Sequence, residues 1–219
     1  MGQAIGESVF EVFYLIFAIV MGYRLFTKGK ENNNKAIKLF GIATLILGSG
    51  DSFHLVPRMY ALWTDGIDNH PVSLGFGKLV TSITMTIFYV LLFKGLEEHF
   101  GKKDEKTEKI IVVLAVIRIL LCLLPQNQWL SADAPLSFGI IRNIPFTILG
   151  ILVIIYVYKK AGGKDKALNW MWLAILLSFA FYLPVVLFAS RIPMMGMLML
   201  PKTVMYIWIV LMLKKCAGI

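Results

Sequence analysis

Asp51, His54 and Arg58 fall within eight positions of an apolar run, in the stretch LGSGDSFHLVPRMYALW from Leu47 to Trp63. Spacings of three and four place the three side chains on one helix face. A carboxylate held at low dielectric beside an imidazole could exchange protons as an acid or a base. The same pair could also serve as a structural ion pair at a helix end. Pro57 removes the N–H that would have bonded the Phe53 carbonyl, and Gly48 and Gly50 permit close approach of a neighbouring helix. Glu11, Lys78, Arg118, Arg142 and Lys202 are further ionisable residues inside apolar runs. Cations in such places can hold a phosphate or carboxylate.

The elements that must position these residues follow from composition. Of 219 residues, 58% are hydrophobic and 16% charged, where a soluble domain carries about 25% charge. Apolar runs of spanning length cover residues 9–26, 36–56, 72–93, 110–124, 136–158, 167–189 and 194–213. The fourth ends at Pro125 and is expected to continue irregularly toward Trp129. The expectation is an all-α polytopic membrane protein, a single seven-helix transmembrane domain over residues 1–219. Glu7 and Glu11 at the start of the first run, with no basic residue before it, argue against a signal peptide. Cys122 and Cys216 fall on opposite sides of that topology and lack metal-ligand spacing. No metal or cofactor is expected.

Charge sets the orientation. Arg24, Lys28, Lys30, Lys35 and Lys38 lie between the first two runs, and Lys94, Lys102, Lys103, Lys106 and Lys109 between the third and fourth. Lys159, Lys160, Lys164 and Lys166 follow the fifth, and Lys214 and Lys215 the seventh. The positive-inside rule makes this alternate set of ends cytoplasmic, with the N-terminus outside and the C-terminus inside. The net charge of +9 therefore reflects membrane topology, and no nucleic-acid partner is expected. The location expected is a cell membrane, the bacterial cytoplasmic membrane in the first instance.

Six cations remain, Arg58, Lys78, Arg118, Arg142, Arg191 and Lys202, against six acids, Glu7, Glu11, Asp51, Asp65, Asp68 and Asp133. Lys78 precedes Lys94 by 16 residues and Arg142 precedes Lys159 by 17, about 24–25 Å of helix at 1.5 Å per residue. By the same rise Asp51 stands about 22 Å, Lys202 about 18 Å and Arg118 about 13 Å above the inner boundary. Glu11 occupies a comparable outer level. Charges at such depths face the bundle interior or a wet cavity, unless they snorkel to the headgroups.

A weak parallel repeat supports a shared pocket. GKLVTSITMTIFYVLLFK, IRNIPFTILGILVIIYVYK and PKTVMYIWIVLMLK each begin with a cation and end with a cytoplasmic lysine. The pattern reads as one helix followed by three helical hairpins. Asp51, Lys78, Arg142 and Lys202 are expected to line one outer-half cavity, with His54 and Arg58 toward its mouth. Trp63, Trp129, Trp170 and Trp172 suit the interfaces, Tyr182 and Trp208 suit packing, and His70 and His99 suit solvated loops.

The segments GSGDSFHLVPRMY and VSLGFGKLVTSITMTIFYVLLF resemble the lysoplasmalogenase-type integral membrane family. The likeness lies in a Gly-Asp step near a helix end, a proline shortly after, and a following helix that opens on small residues. It covers about 50 residues, of which the Gly50-Asp51 step with Pro57 is the specific part. The resemblance implies an all-helical membrane fold, usually of eight spans, and hydrolysis of the vinyl ether bond of lysoplasmalogens by membrane-embedded aspartates. It implies a catalytic role for Asp51. The family's second aspartate follows a serine, whereas Ser178 here precedes Phe179, which leaves Glu11 as the substitute carboxylate.

Three functions fit. In the first, Asp51 and His54 are catalytic in a lipid hydrolase, and Lys78, Arg118, Arg142, Lys202, Arg58 and Glu11 bind the ligand. In the second, a receptor or transporter without chemistry captures a membrane lipid or small anionic ligand from outside with Lys78, Arg142 and Lys202. The third is a retinal protein with Lys202 on the last helix. It is disfavoured because Pro201 directly precedes that lysine and the third run carries no carboxylate.

Overall fold

In the computed structural model, residues 2–101, 103–189 and 192–219 are described; Lys102 and Arg191 lie outside them. Among the described residues seven α-helices follow one another: α1 (Gly2–Glu31), α2 (Lys35–Trp63), α3 (Pro71–Phe100), α4 (Glu105–Leu123), α5 (Leu136–Ala161), α6 (Met171–Phe188) and α7 (Met199–Ala217). Among the described residues there is no strand. Six helical segments among the described residues are long and apolar enough to cross a membrane. The remaining helix, α4, has 19 residues and carries Glu105, Lys106, Glu108, Lys109 and Arg118. The architecture is compatible with a multi-pass integral membrane protein.

Local chemistry sets the ends. The Asn34 side chain accepts from the Ile37 amide at 3.1 Å to cap α2, and Asp104 accepts from Thr107 at the same distance to cap α4. Pro71 occupies the first turn of α3, where its missing N–H costs nothing. Gly101, at φ 62°, closes α3 in a left-handed conformation.

The sequence runs and the helices differ in length. α1 to α3 extend beyond the apolar stretches, because their polar ends continue the backbone hydrogen bonding. α6 is shorter than its run. Residues 162–170 form turns in which Asp165 Oδ1 accepts from the Ala167 and Leu168 amides, each at 2.8 Å. The start of the seventh run is a 3-10 segment, Pro193–Leu198.

Each helix packs on its sequence neighbours, and α1 closes the ring against α7. Small residues allow the closest approaches. A Cβ on Gly77 would overlap the Phe53 carbonyl oxygen and the His54 Cα. The carbonyl released by Pro57 thus points at α3, where only a glycine leaves room for it. Thr81 Oγ1 adds a 3.1 Å hydrogen bond to the Gly50 carbonyl. These contacts fix the registry of α2 on α3, and with it the positions of His54 and Lys78.

Candidate functional site

The C-terminal ends of α2, α4 and α6 and the N-terminal ends of α3, α5 and α7 meet at one end of the bundle and leave a cavity of about 370 Å³. That volume lies at the lower end of small-molecule sites. His54 and Arg58 from α2, Lys78 from α3, Arg118 from α4, Arg142 from α5 and Lys202 from α7 all line it. Much of the remaining wall is apolar, including Leu74, Met85, Phe146, Val185 and Met199.

Arg118 is the deepest of the cations. It is 1% exposed, and its guanidinium carbon sits 3.3 Å from the centroid of the Phe146 ring. Its Nη2 donates a long 3.4 Å bond to Asn143 Oδ1, while Nε and Nη1 are buried without a hydrogen-bond partner. A buried guanidinium with two idle donors is costly. The other charges of α4, Glu105, Lys106, Glu108 and Lys109, all lie at its N-terminal end, which leaves Arg118 alone on the apolar part of the helix.

Arg142 is held by the irregular segment after α4. Its Nη1 donates to Asn127 Oδ1 at 2.9 Å, and the guanidinium stacks 4.1 Å from the Trp129 ring centroid. Asn127 in turn donates to the Leu121 and Leu124 carbonyls at 2.7 and 2.8 Å, and Trp129 Nε1 donates to Cys122 O at 2.8 Å. These bonds satisfy the carbonyls that the end of α4 leaves open, so the cap of α4 is also the seat of Arg142. Lys202, 8% exposed, lies 4.7 Å from the Tyr182 ring centroid and 5.5 Å from that of Tyr206.

Asp51 does not join them. It is absent from the cavity wall and accepts a 2.6 Å hydrogen bond from the Tyr14 hydroxyl of α1. The expectation that Asp51 lines the cavity and accepts from Lys78, Arg142 or Lys202 is therefore corrected: the nearest donor is on the other neighbouring helix. Lys202 feels the Asp51 charge, but no direct ion pair joins them among the described residues. Nor does any hydrogen bond join Asp51 to His54, whose Nδ1 is buried without a partner. An acid–base dyad of these two residues is not assembled.

Glu11 is also off the wall. Arg58 donates to Glu7 Oε2 from Nη2 at 2.8 Å and from Nε at 3.2 Å, and its Nε lies 3.7 Å from Glu11 Oε1. Arg58 thus bridges α2 to α1 and has its charge matched. Glu11 Oε2 is buried without a hydrogen bond.

Several contributors escaped the sequence reading. Tyr182 lines the cavity and donates to Asn143 Oδ1 at 2.8 Å, so it is more than packing. Asn127 and Asn143 are buried at 0% and 4% exposure; an asparagine beside Arg142 in an apolar run was the available signal. His99 lies in the last turn of α3, not in a loop, and pairs with Asp165 Oδ2 at 3.0 Å. Among the described residues no group of three or more acidic, histidine or cysteine ligands could hold a metal. Cys122 and Cys216 are both free.

No protein-family model, curated protein or solved structure matches this chain.

Proposed function

We propose that the chain is a seven-span protein of a cell membrane whose cationic cavity, open to the outside, binds an anionic ligand. That ligand is the headgroup of an anionic amphiphile or a small anion. The observation that carries the reading is the meeting of Lys78, Arg118, Arg142 and Lys202 on one wall, which carries no carboxylate among the described residues. An anion in the cavity would relieve the repulsion between the cations.

The orientation rests on the last-turn lysines of α1, α5 and α7, which gather at the end opposite the cavity. α4 serves as the seventh span: its charged first turn would lie in the inner headgroups, and Arg118 turns away from lipid. The bacterial cytoplasmic membrane fits this plan.

Binding without chemistry is the better-supported form, because Asp51 is occupied by Tyr14 and apart from the cavity. A lysoplasmalogenase-like hydrolase is the second reading, favoured by His54, whose unpartnered Nδ1 belongs to a cavity-lining side chain. Native mass spectrometry of the detergent-purified protein tests the first reading, with a copurified anion expected and Lys202→Met expected to lose it. Cleavage of a lysoplasmalogen by the same preparation would instead select the second. A wild-type cavity that retains and binds no anion would refute anion capture.

A further inference from the structure

The charges around the cavity restrict the headgroup that can fill it. Among the described residues no carboxylate lines the wall. Arg58 is neutralised by Glu7 and Glu11, and Lys202 has Asp51 as its opposite charge, though not in direct contact. Lys78, Arg118 and Arg142 form no ion pair with any described carboxylate. Their partners are neutral: the Asn127 and Asn143 amide oxygens and the Trp129 and Phe146 rings. Amide dipoles and ring faces orient a cation without cancelling its charge.

The unmatched cations also act on one another. Lys78 experiences the charges of Arg142 and Arg58, and Lys202 that of Arg118. The cluster therefore runs from the deep pair, Arg118 and Lys202, to the exposed Lys78. A single negative charge would leave most of this repulsion in place. A choline or ethanolamine headgroup would add a cation to it.

We infer that the ligand carries a terminal phosphate or diphosphate with two or more negative charges, either on one apolar chain or as the free ion. This rests on the anion-binding reading and sharpens it. Guanidinium groups match phosphate oxygens in pairs, and two of them, Arg118 and Arg142, lie on the wall. The apolar side chains of Leu74, Met85, Val185 and Met199 would meet the first carbons of a chain. The volume suits a headgroup and the beginning of a chain, with the rest of a long chain outside.

The test uses the full chain in maltoside micelles, with binding followed by calorimetry. Decyl phosphate, decyl diphosphate, decyl sulfate and decyl phosphocholine share a tail and differ in charge. At pH 8 the phosphate and diphosphate are expected to bind at least about tenfold more tightly than the sulfate, a modest share of what a second charge near a cation can supply. Decyl phosphocholine is expected to show no saturable binding. At pH 5, below the second phosphate pKa of about 6, decyl phosphate should fall toward the sulfate. The sulfate stays a monoanion over that range, so it reports any change in His54 separately.

Lys78→Met, at the exposed rim, should weaken decyl phosphate more than decyl sulfate while the ligand-free unfolding temperature does not fall, since the substitution removes repulsion from the empty cavity. Arg118→Met should abolish both. If it fails to fold, the Lys78 comparison still decides. Equal affinity for sulfate and phosphate at pH 8 overturns the multivalent headgroup but leaves anion capture standing. Absence of binding by all four overturns both. Inorganic diphosphate as tight as decyl diphosphate identifies the free ion as the source, and a tenfold advantage of the alkylated form identifies a lipid.

Discussion

The Tyr14 hydroxyl donates to Asp51 Oδ2 at 2.6 Å, from the helix on the far side of α2 from Lys78. This bond takes the one carboxylate at the heart of the apolar stretch out of the cavity and turns it into a cross-link between α1 and α2. The cavity is thereby left cationic.

Removing that donor should expose the cost of burying Asp51. Tyr14→Phe is expected to destabilise the protein by about 1–3 kcal/mol, the usual penalty for orphaning a buried acceptor. Tyr14→Phe with Asp51→Asn should recover part of the loss. Thermal unfolding of the single and double variants in detergent checks this, and a silent Tyr14→Phe would show that the bond is dispensable.

Glu7 and Glu11 make a parallel case. Arg58→Gln leaves Glu7 and Glu11 without their shared cation and is expected to cost about 1–3 kcal/mol, since a charge-assisted bond is lost and buried acids stay behind. Arg58→Lys should restore some of it. Unfolding temperatures of both variants are the measurement, and indistinguishable values for wild type and Arg58→Gln would contradict the role assigned.

Much of the fold was legible because apolar run length and lysine placement act locally. The six longest runs and Arg118, Arg142, Lys78 and Lys202 could be located from counting along the chain, and these cations do meet in one cavity. The partner of Asp51 was not legible. Helical spacing says which residues share a face, but Tyr14 reaches Asp51 through the angle at which α1 crosses α2. Asn127 escaped for a similar reason, since its role appears only once α4 stops at Leu123, just before Pro125, and leaves carbonyls to be capped. His99 was misplaced because α3 runs past its apolar stretch to Gly101.

The α2–α3 contact should be intolerant of a single methyl group. In Gly77→Ala the new Cβ would overlap the Phe53 carbonyl oxygen and His54 Cα, both backbone positions that cannot rotate away. Overpacking of this sort costs about 1–3 kcal/mol. Anion binding should weaken as well, because His54 and the adjacent Lys78 shift together. Gly101→Ala, far from the cavity, should leave binding intact. Equal binding by wild type and Gly77→Ala would break the link between this contact and the site.

The opposite end of the bundle carries an acid-sensitive contact. Burial opposes ionisation of Asp165, but the His99 hydrogen bond and the Leu168 and Ala167 amides outweigh it and hold the carboxyl below its ordinary value of 3.8. A carboxyl depressed in the folded state contributes stability that is fully present above its unfolded value and is lost as pH falls through the folded one. Unfolding temperature is therefore expected to decline as pH drops below about 4, with Asp165→Asn showing a shallower decline. Ala167 and Leu168 begin the turn into α6, so protonation of Asp165 loosens the segment that enters the sixth helix. His99→Ala removes one of the bonds but leaves both amides, and should retain part of the effect. An Asp165→Asn profile parallel to wild type between pH 5 and pH 3 would assign the acid loss elsewhere.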